Sequence, residues 1–231
     1  LEGKQNRYFE NLGGCKFRDA TVAAGLEDVG AYYSFTVVAC DLDGDRDLDL
    51  YVANDSNPNY LYRNDGKGHF EEVGLWSGAA MDGTGAAQAG MGIAAGDVDG
   101  DGRPDLFVTN FADDQSTLYL NLGDLLFRDE TRRMGLRQPT YAPLSWGTVL
   151  EDFDLDGDLD LFVANGHIYP QADDPPETGT RYRQANLLLA HEAERFIDVS
   201  ADAGPGLAVI ESSRGVAAGD IDNAGDIDLV I

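Results

Sequence analysis

The chain repeats one acidic segment four times, and each copy is followed at once by a short apolar run. The copies, called loops 1 to 4 below, are residues 41–49, 97–105, 152–160 and 220–228. The run after each loop is β-branched or aromatic, as in Leu106-Phe107-Val108, which is typical of a β-strand. The chain is therefore predicted to be a repeat protein of short strands in which an acidic turn recurs at one place.

Carboxylates occupy positions 1, 3 and 9 of every loop, and position 5 of the first three loops. Like charges this close repel each other strongly unless a cation lies among them. Hard oxygen donors at alternate positions favour calcium, which accepts six to eight oxygens in a flexible shell. Glycines in each loop supply the conformational freedom for a tight turn. These glycines are Gly44, Gly100, Gly157 and Gly225.

The EF-hand is the nearest alternative, because its calcium loop also begins with alternating Asp residues. An EF-hand loop needs a Glu at position 12 and a helix beyond it. Here position 12 lies inside the apolar runs and is Val52, Val108, Val163 or Ile231. Each loop is therefore predicted to join two strands.

Each repeat continues beyond its loop with a strand, a glycine-bearing turn and another strand, and a further apolar run precedes the loop. One unit thus has about four short strands, and the loop starts are separated by 56, 55 and 68 residues. Four strands at this period predict an all-β fold, a β-propeller built of four-stranded blades with the loops between the first two strands.

The units predict a single propeller region over residues 1–231. Complete blades are expected at 35–73, 91–131 and 146–200, and the last of them carries an insertion at 166–184. The closing hairpin of a preceding blade is expected at 6–21, and the first strands of a following blade at 214–231. The two partial blades either belong to a longer propeller or pair to close a four-bladed ring. Because Ile231 falls inside a predicted strand, we favour the longer chain.

Residues 96–108 resemble the FG-GAP, or VCBS, repeat of integrin-type β-propellers, and residues 152–165 resemble the variant in cartilage-acidic-protein-like secreted proteins. The resemblance implies calcium ligands from the side chains at positions 1, 3, 5 and 9 and from the backbone carbonyl at position 7. The implied side-chain ligands are Asp41, Asp43, Asp45, Asp49, Asp97, Asp99, Asp101, Asp105, Asp152, Asp154, Asp156, Asp160, Asp220, Asp222 and Asp228. The implied carbonyl ligands belong to Asp47, Arg103, Asp158 and Asp226.

Loop 4 departs from this pattern because Ala224 occupies position 5. One ligand must then come from water or be absent. We expect three strong calcium sites and a weaker fourth.

The formal net charge is −26, and 18 of the 42 acidic residues lie in the four loops. This charge argues against nucleic acid as a partner, since nucleic-acid binders carry basic patches. No apolar run reaches the roughly 18 residues of a membrane span. Weak calcium sites are filled only where the ion is abundant, so an extracellular or cell-surface location is predicted.

These features predict an adhesion or recognition module for a protein or glycan ligand. One alternative is a structural subunit of a surface layer or filament, with self-assembly. Another is a propeller enzyme acting on carbohydrate, of lyase or dehydratase type, with His167 near its active centre; no catalytic residue is otherwise expected. His69 follows a predicted hairpin turn and His191 occupies the equivalent turn of the third repeat, so both are expected to face solvent. Cys15 and Cys40 are expected to be free thiols, with a disulfide between them as the alternative.

Overall fold

The computed structural model describes residues 3–27, 30–173 and 180–231. The fold is all-β, as predicted, with three four-stranded antiparallel sheets in which the strands follow chain order from one edge to the other. Sheet 1 contains β3 (Tyr33–Cys40), β4 (Asp49–Asp55), β5 (Tyr60–Asn64) and β6 (Phe70–Glu72). Sheet 2 contains β7 (Gly90–Gly96), β8 (Asp105–Asn110), β9 (Thr117–Asn121) and β10 (Phe127–Asp129). Sheet 3 contains β11 (Ser145–Glu151), β12 (Asp160–Asn165), β13 (Leu187–Glu192) and β14 (Arg195–Asp198).

Two-stranded sheets lie at either end of the described chain. They are formed by β1 (Phe9–Asn11) with β2 (Phe17–Asp19) and by β15 (Ala217–Gly219) with β16 (Asp228–Val230). Short helices α1 (Gly74–Ser77) and α2 (Arg137–Tyr141) connect successive four-stranded sheets, and a 3₁₀ turn (Pro170–Asp173) lies in the predicted insertion. Residues 174–179 of that insertion fall outside the described residues.

The sheets stack face to face, so that the central strands are buried on both sides. In β8, Leu106 and Val108 point to one side and pack with Tyr51 of sheet 1. Phe107, between them, points to the other side and packs with Leu161 of sheet 3. Side chains alternate across a strand, and burial on both faces explains why these runs are continuously apolar. Burying each large side chain contributes about 1.5–3 kcal/mol relative to exposure.

The first strands of the sheets lie next to one another, β3 beside β7, β7 beside β11 and β11 beside β15. Each of the three long first strands has a register shift at the same place, between Ser34 and Thr36, between Gly90 and Ile93, and between Ser145 and Thr148. A bulge of this kind bends a strand and frees backbone groups for other partners. Here the freed groups are available to the neighbouring first strand.

Hydrogen bonds near the bulges join the sheets to each other. They run from Thr36 Oγ1 to Met91 O at 2.7 Å, from Thr109 Oγ1 to Trp146 O at 2.6 Å and from Gly147 N to Arg214 O at 2.7 Å. The approach is so close that a Cβ at Gly92 would lie 2.0 Å from Trp146 O. Position 92 therefore requires glycine.

Candidate metal centre: the four aspartate loops

The four acidic loops connect the first and second strands of their sheets, β3 to β4, β7 to β8, β11 to β12 and β15 to β16. The last Asp of each loop is also the first residue of the second strand. No helix follows any of the four loops in the described residues, so the EF-hand alternative does not fit.

The Asp at position 1 closes the loop around its own carboxylate. In loop 2, Asp97 Oδ1 accepts the N–H of Asp101 at 3.0 Å and Oδ2 accepts that of Gly102 at 2.8 Å. In the other three loops the corresponding Asp also accepts two backbone N–H groups. The accepting residues are Asp41, Asp152 and Asp220.

Two positions in every loop adopt the left-handed backbone conformation. Position 4 has a positive φ in all four loops, and so does position 6. The sequence indicated one such glycine per loop, but non-glycine residues also take this conformation. They are Arg46 at φ 78°, Leu155 at 63° and Asn223 at 62°. A positive φ costs a bulky residue such as Leu155 conformational energy, so the closed loop must supply the compensation.

Positions 3 and 5 continue the same pattern of side chain to backbone bonds. Asp99 Oδ1 accepts the N–H of Asp101 at 3.3 Å, and Asp101 Oδ1 accepts that of Arg103 at 3.0 Å. These bonds hold the carboxylates near one another inside the turn. Burial, followed by the neighbouring Asp charges, raises the pKa of Asp43 and of Asp99 above its ordinary value, although backbone hydrogen bonds act in the opposite direction.

Three carboxylates in each loop offer oxygens that all lie within 4.8 Å of one another. The groups are Asp41 with Asp43 and Asp45; Asp97 with Asp99 and Asp101; Asp152 with Asp154 and Asp160; and Asp220 with Asp222 and Asp226. The groups do not contain Asp47, Asp49, Asp105, Asp156, Asp158 or Asp228, which the sequence also assigned to the sites. Oxygen donors at this spacing fit a calcium ion, whose ligand distances are about 2.3–2.6 Å.

The Asp at position 9 is the most buried carboxylate of each of the first three loops. Asp105 is 0% exposed; its Oδ2 accepts the N–H of Val98 at 2.8 Å and its Oδ1 accepts that of Asn121 at 2.7 Å. Burial raises the pKa of Asp105 to about 7 and that of Asp49 to about 6, and the loop carboxylates nearby add to the rise. A divalent cation among these acids would neutralise that charge, so the donor set fits calcium.

Asp160 has the same arrangement in loop 3, with bonds from Phe153 N at 3.0 Å and His191 N at 2.8 Å. Loop 4 is different. Asp228 accepts only the N–H of Ile221 among the described residues, and it is partly exposed. The carboxylate of Asp226 at position 7, expected to offer only its carbonyl, joins the group around Asp220.

Arg103, at position 7 of loop 2, places a positive charge beside the candidate site. Its guanidinium forms an ion pair with the carboxylate of Asp101 and donates from Nε to Asn121 O at 2.9 Å. The corresponding residues of the other loops are all Asp. In loop 2, Arg103 therefore competes with a bound cation for the carboxylate of Asp101.

An Asn at the end of the third strand, which was not among the predicted site residues, supports the loop in sheets 1 and 2. Asn64 Nδ2 donates to Leu48 O at 3.0 Å, and Asn121 Nδ2 donates to Pro104 O at 3.0 Å. Each carbonyl belongs to position 8 of the loop. The repeated Asn-x-Gly that follows the third strand, in Asn64-Asp65-Gly66 and Asn121-Leu122-Gly123, is the signal that could have revealed it.

His191 occupies the equivalent place in sheet 3. The expectation that it faces solvent is wrong, because it is 8% exposed and its ring stacks on Phe196 with centroids 4.8 Å apart. Neither ring nitrogen has a hydrogen-bond partner among the described residues. His69 is exposed, as expected.

His167, the residue named for the enzyme alternative, is also buried. Its Nδ1 accepts the N–H of Tyr169 at 3.1 Å, and its ring packs edge-on against Phe111. The nearby Asp173 accepts the N–H of Tyr182 at 2.9 Å. An activity at His167 stays a prediction.

Two further expectations concern cysteine and membranes. Cys15 and Cys40 are both free, as expected. Among the described residues, no helix has the length and apolar character needed to cross a bilayer.

Comparison with known proteins agrees with the repeat pattern. The FG-GAP-like repeat model matches residues 41–108 and 97–163, which together make up more than half of the chain. Relatives include cartilage acidic protein 1 of Xenopus tropicalis, 28% identical over 121 residues, and of Mus musculus, 30% identical over 122 residues. Each match covers 51% of this chain and only 17% of the relative.

A solved structure is similar in fold over nearly the whole chain. It is that of an Agrocybe aegerita lectin with specific recognition of non-reducing terminal N-acetylglucosamine. The TM-score is 0.53 over 98% of this chain and 55% of the lectin chain, at 18% sequence identity. At this identity the similarity concerns the fold alone. From the repeats matched over residues 41–163, the chain belongs to the family of FG-GAP-like repeat proteins.

Proposed function

We propose that this chain is a calcium-binding region of an extracellular β-propeller that acts as a recognition or adhesion module. The observation that carries the proposal is the recurrence of one acidic loop at the same strand junction of four sheets. In each loop three carboxylates face one another within 4.8 Å. Calcium bound there would neutralise these charges and fix the turn between the first two strands.

The propeller assignment is supported by the way the sheets pack. Their first strands adjoin one another and their faces stack, which is the arrangement of blades around an axis. An extracellular location is supported by the calcium sites, since extracellular modules work with dissociation constants of about 10⁻⁴–10⁻³ M.

The candidate ligand-binding surface is a pocket of about 450 Å³ at the end of sheet 2 away from loop 2. Loop 2 precedes β8, whereas the pocket includes Asp114 from the connection that follows β8. Its other walls come from Asp82 and Thr84, before β7, and from Arg132, Arg137 and Tyr141, after β10. Pockets of about 300–1,000 Å³ commonly hold small ligands.

Charges in this pocket are nearly balanced. Asp82, Asp114 and Asp129 line it together with Arg132 and Arg137. Neither guanidinium forms an ion pair or side-chain hydrogen bond with a residue that the structure describes. Donors and acceptors without a large net charge suit a neutral ligand rich in hydroxyl groups better than an ion.

Tyr141 adds an aromatic surface to this pocket, and it is 45% exposed. An aromatic ring can pack on the apolar face of a sugar while the charged groups bind its hydroxyls. We therefore propose a neutral saccharide as the ligand. The lectin provides one saccharide to try, N-acetylglucosamine.

The test is an NMR titration of the calcium-loaded protein with glucose, galactose and N-acetylglucosamine. The expected result is saturable binding of at least one sugar that is lost in Arg137→Met and in Tyr141→Ala. Arg63→Met, an exposed change on β5 of sheet 1, is the control and should bind normally. Binding that survives both pocket variants, or no binding of any of the three sugars, would contradict the pocket as the saccharide site. The structural-subunit and enzyme alternatives remain hypotheses.

A further inference from the structure

Asn121, at the end of β9, contacts the acidic loops of two different sheets. Its Nδ2 donates to Pro104 O of loop 2 at 3.0 Å and to Leu42 O of loop 1 at 2.8 Å. A side-chain amide has two N–H donors, so both are used. Asn121 is 1% exposed, and Leu42 is 1% exposed as well.

These contacts belong to a continuous hydrogen-bonded chain between the two loops. The backbone N–H of Asn121 donates to Asp105 Oδ1 at 2.7 Å, and the backbone N–H of Leu42 donates to Asp49 Oδ2 at 3.0 Å. The chain therefore runs from the last Asp of loop 2, through Asn121 and the backbone of Leu42, to the last Asp of loop 1. All four residues are at most 1% exposed, so water has little access to replace these bonds.

The equivalent residues of the other sheets lack this connection. Asn64 donates from its side chain to Leu48 O of its own loop. His191 donates from its backbone to Asp160, but its ring nitrogens have no hydrogen-bond partner among the described residues. The side chain at this position therefore reaches two loops from sheet 2, one loop from sheet 1 and no loop from sheet 3.

We propose that Asn121 is a positioning residue that couples calcium binding at loops 1 and 2, while loop 3 binds independently of loop 2. The inference rests on the proposed calcium function. Calcium held by Asp97, Asp99 and Asp101 would fix the conformation of loop 2, including Asp105 at its end, and hence Asn121, which holds the Leu42 carbonyl and the start of loop 1. Loop 1 then loses less conformational freedom when its own ion binds, so the two sites cooperate positively.

The test removes calcium binding at loop 2 and measures the affinity of loop 1. Asp99→Asn alters an exposed candidate ligand of loop 2 without changing its shape. Hydrogen exchange, followed by mass spectrometry across a calcium titration, reads loops 1, 2 and 3 separately. We expect Asp99→Asn to weaken calcium binding at loop 1 by roughly fivefold or more and to leave loop 3 unchanged.

In an Asn121→Ala background, Asp99→Asn should leave the calcium affinity of loop 1 unaltered, because the hydrogen bond from Asn121 to Leu42 is already absent. Asn121→His introduces the residue found at the equivalent position of sheet 3, His191. It serves as a second variant if the Asn121→Ala protein folds poorly. Asn64→Ala is the matched control, in which the effect of Asp99→Asn on loop 1 should persist.

The converse variant, His191→Asn, would give sheet 3 the amide that sheet 2 has and should make loop 3 sensitive to Asp99→Asn. If calcium binds loop 1 equally well with and without Asp99→Asn, the coupling is wrong and the calcium function stands. If no loop of the unaltered protein binds calcium, the proposed function and the coupling both fail.

Discussion

The backbone N–H of Asn64 donates to Oδ1 of Asp49 at 2.8 Å, which ties the third strand of sheet 1 to the end of its acidic loop. The other oxygen of Asp49 accepts the N–H of Leu42. Asp105 and Asp160 make the same pair of bonds in sheets 2 and 3. The last Asp of a loop is therefore part of the sheet structure as well as a candidate metal ligand.

Replacing this residue should destabilise the protein even without calcium. Asp105→Ala leaves the N–H groups of Val98 and Asn121 buried without an acceptor, and each such loss costs about 1–3 kcal/mol. We expect the free energy of unfolding in urea with EGTA to fall by about 2–4 kcal/mol.

Asp101→Ala, in the same loop but partly exposed, should cost less than about 1 kcal/mol under those conditions. Equal destabilisation by the two variants would contradict the structural role of position 9.

The calcium-free protein should lose stability as the pH rises from about 4 to about 7. Burial raises the pKa of Asp49 to about 6 and that of Asp105 to about 7, above the ordinary value of 3.8. The folded chain therefore keeps these two protons at a higher pH than the unfolded chain. The resulting stability is complete below pH 4 and is lost as the pH passes through 6 to 7.

Urea unfolding in EGTA at several pH values measures this dependence. Asp105→Asn removes one of the two groups, so its slope should be shallower. A slope that is the same in the variant and in the unaltered protein would exclude Asp105 as a source of the pH dependence.

Arg103 should weaken calcium binding at loop 2. Its guanidinium pairs with Asp101, so an incoming ion must displace that partner and meet its charge. Exposed ion pairs contribute at most about 1 kcal/mol, so Arg103→Met should tighten calcium binding at loop 2 roughly twofold to fivefold. Calorimetric titration measures the change, and weaker binding in the variant would show that Arg103 supports the site.

Gly92 should be essential to the contact between sheets 2 and 3. A Cβ there would lie 2.0 Å from Trp146 O, a backbone atom that cannot move alone. Gly92→Ala is expected to lower the free energy of unfolding by about 2–4 kcal/mol, as overpacking against backbone does. Gly215→Ala is the control, since a Cβ at Gly215 meets nothing within 4 Å. A melting temperature unchanged by Gly92→Ala would mean that the sheets are farther apart than described.

The strand-loop-strand pattern could be predicted because its signals are local. Alternating Asp residues and a following run such as Leu106-Phe107-Val108 define the turn and the second strand without knowledge of the neighbours. The all-β class follows from repeating that unit. The grouping of carboxylates in each loop likewise follows from short-range spacing.

The remaining features depend on contacts between sheets or on backbone conformation. His191 is expected to face solvent if it lies in a turn, but it lies within β13, and Phe196 on the paired strand covers its ring. Asn121 reaches Leu42, 79 residues earlier in the chain, and no local pattern reveals that contact. The left-handed conformation of Arg46 and Leu155 comes from loop closure by Asp41 and Asp152, which residue type alone does not indicate.

Calcium titration of the metal-free protein tests the central claim most directly. Calorimetry combined with thermal melting should show three ions bound per chain with a weaker fourth, and EGTA should lower the melting temperature by more than about 10 °C. Asp97→Ala, which removes the carboxylate that closes loop 2, should reduce the stoichiometry by one. Absence of binding at millimolar calcium, with a melting curve unchanged by EGTA, would contradict the account.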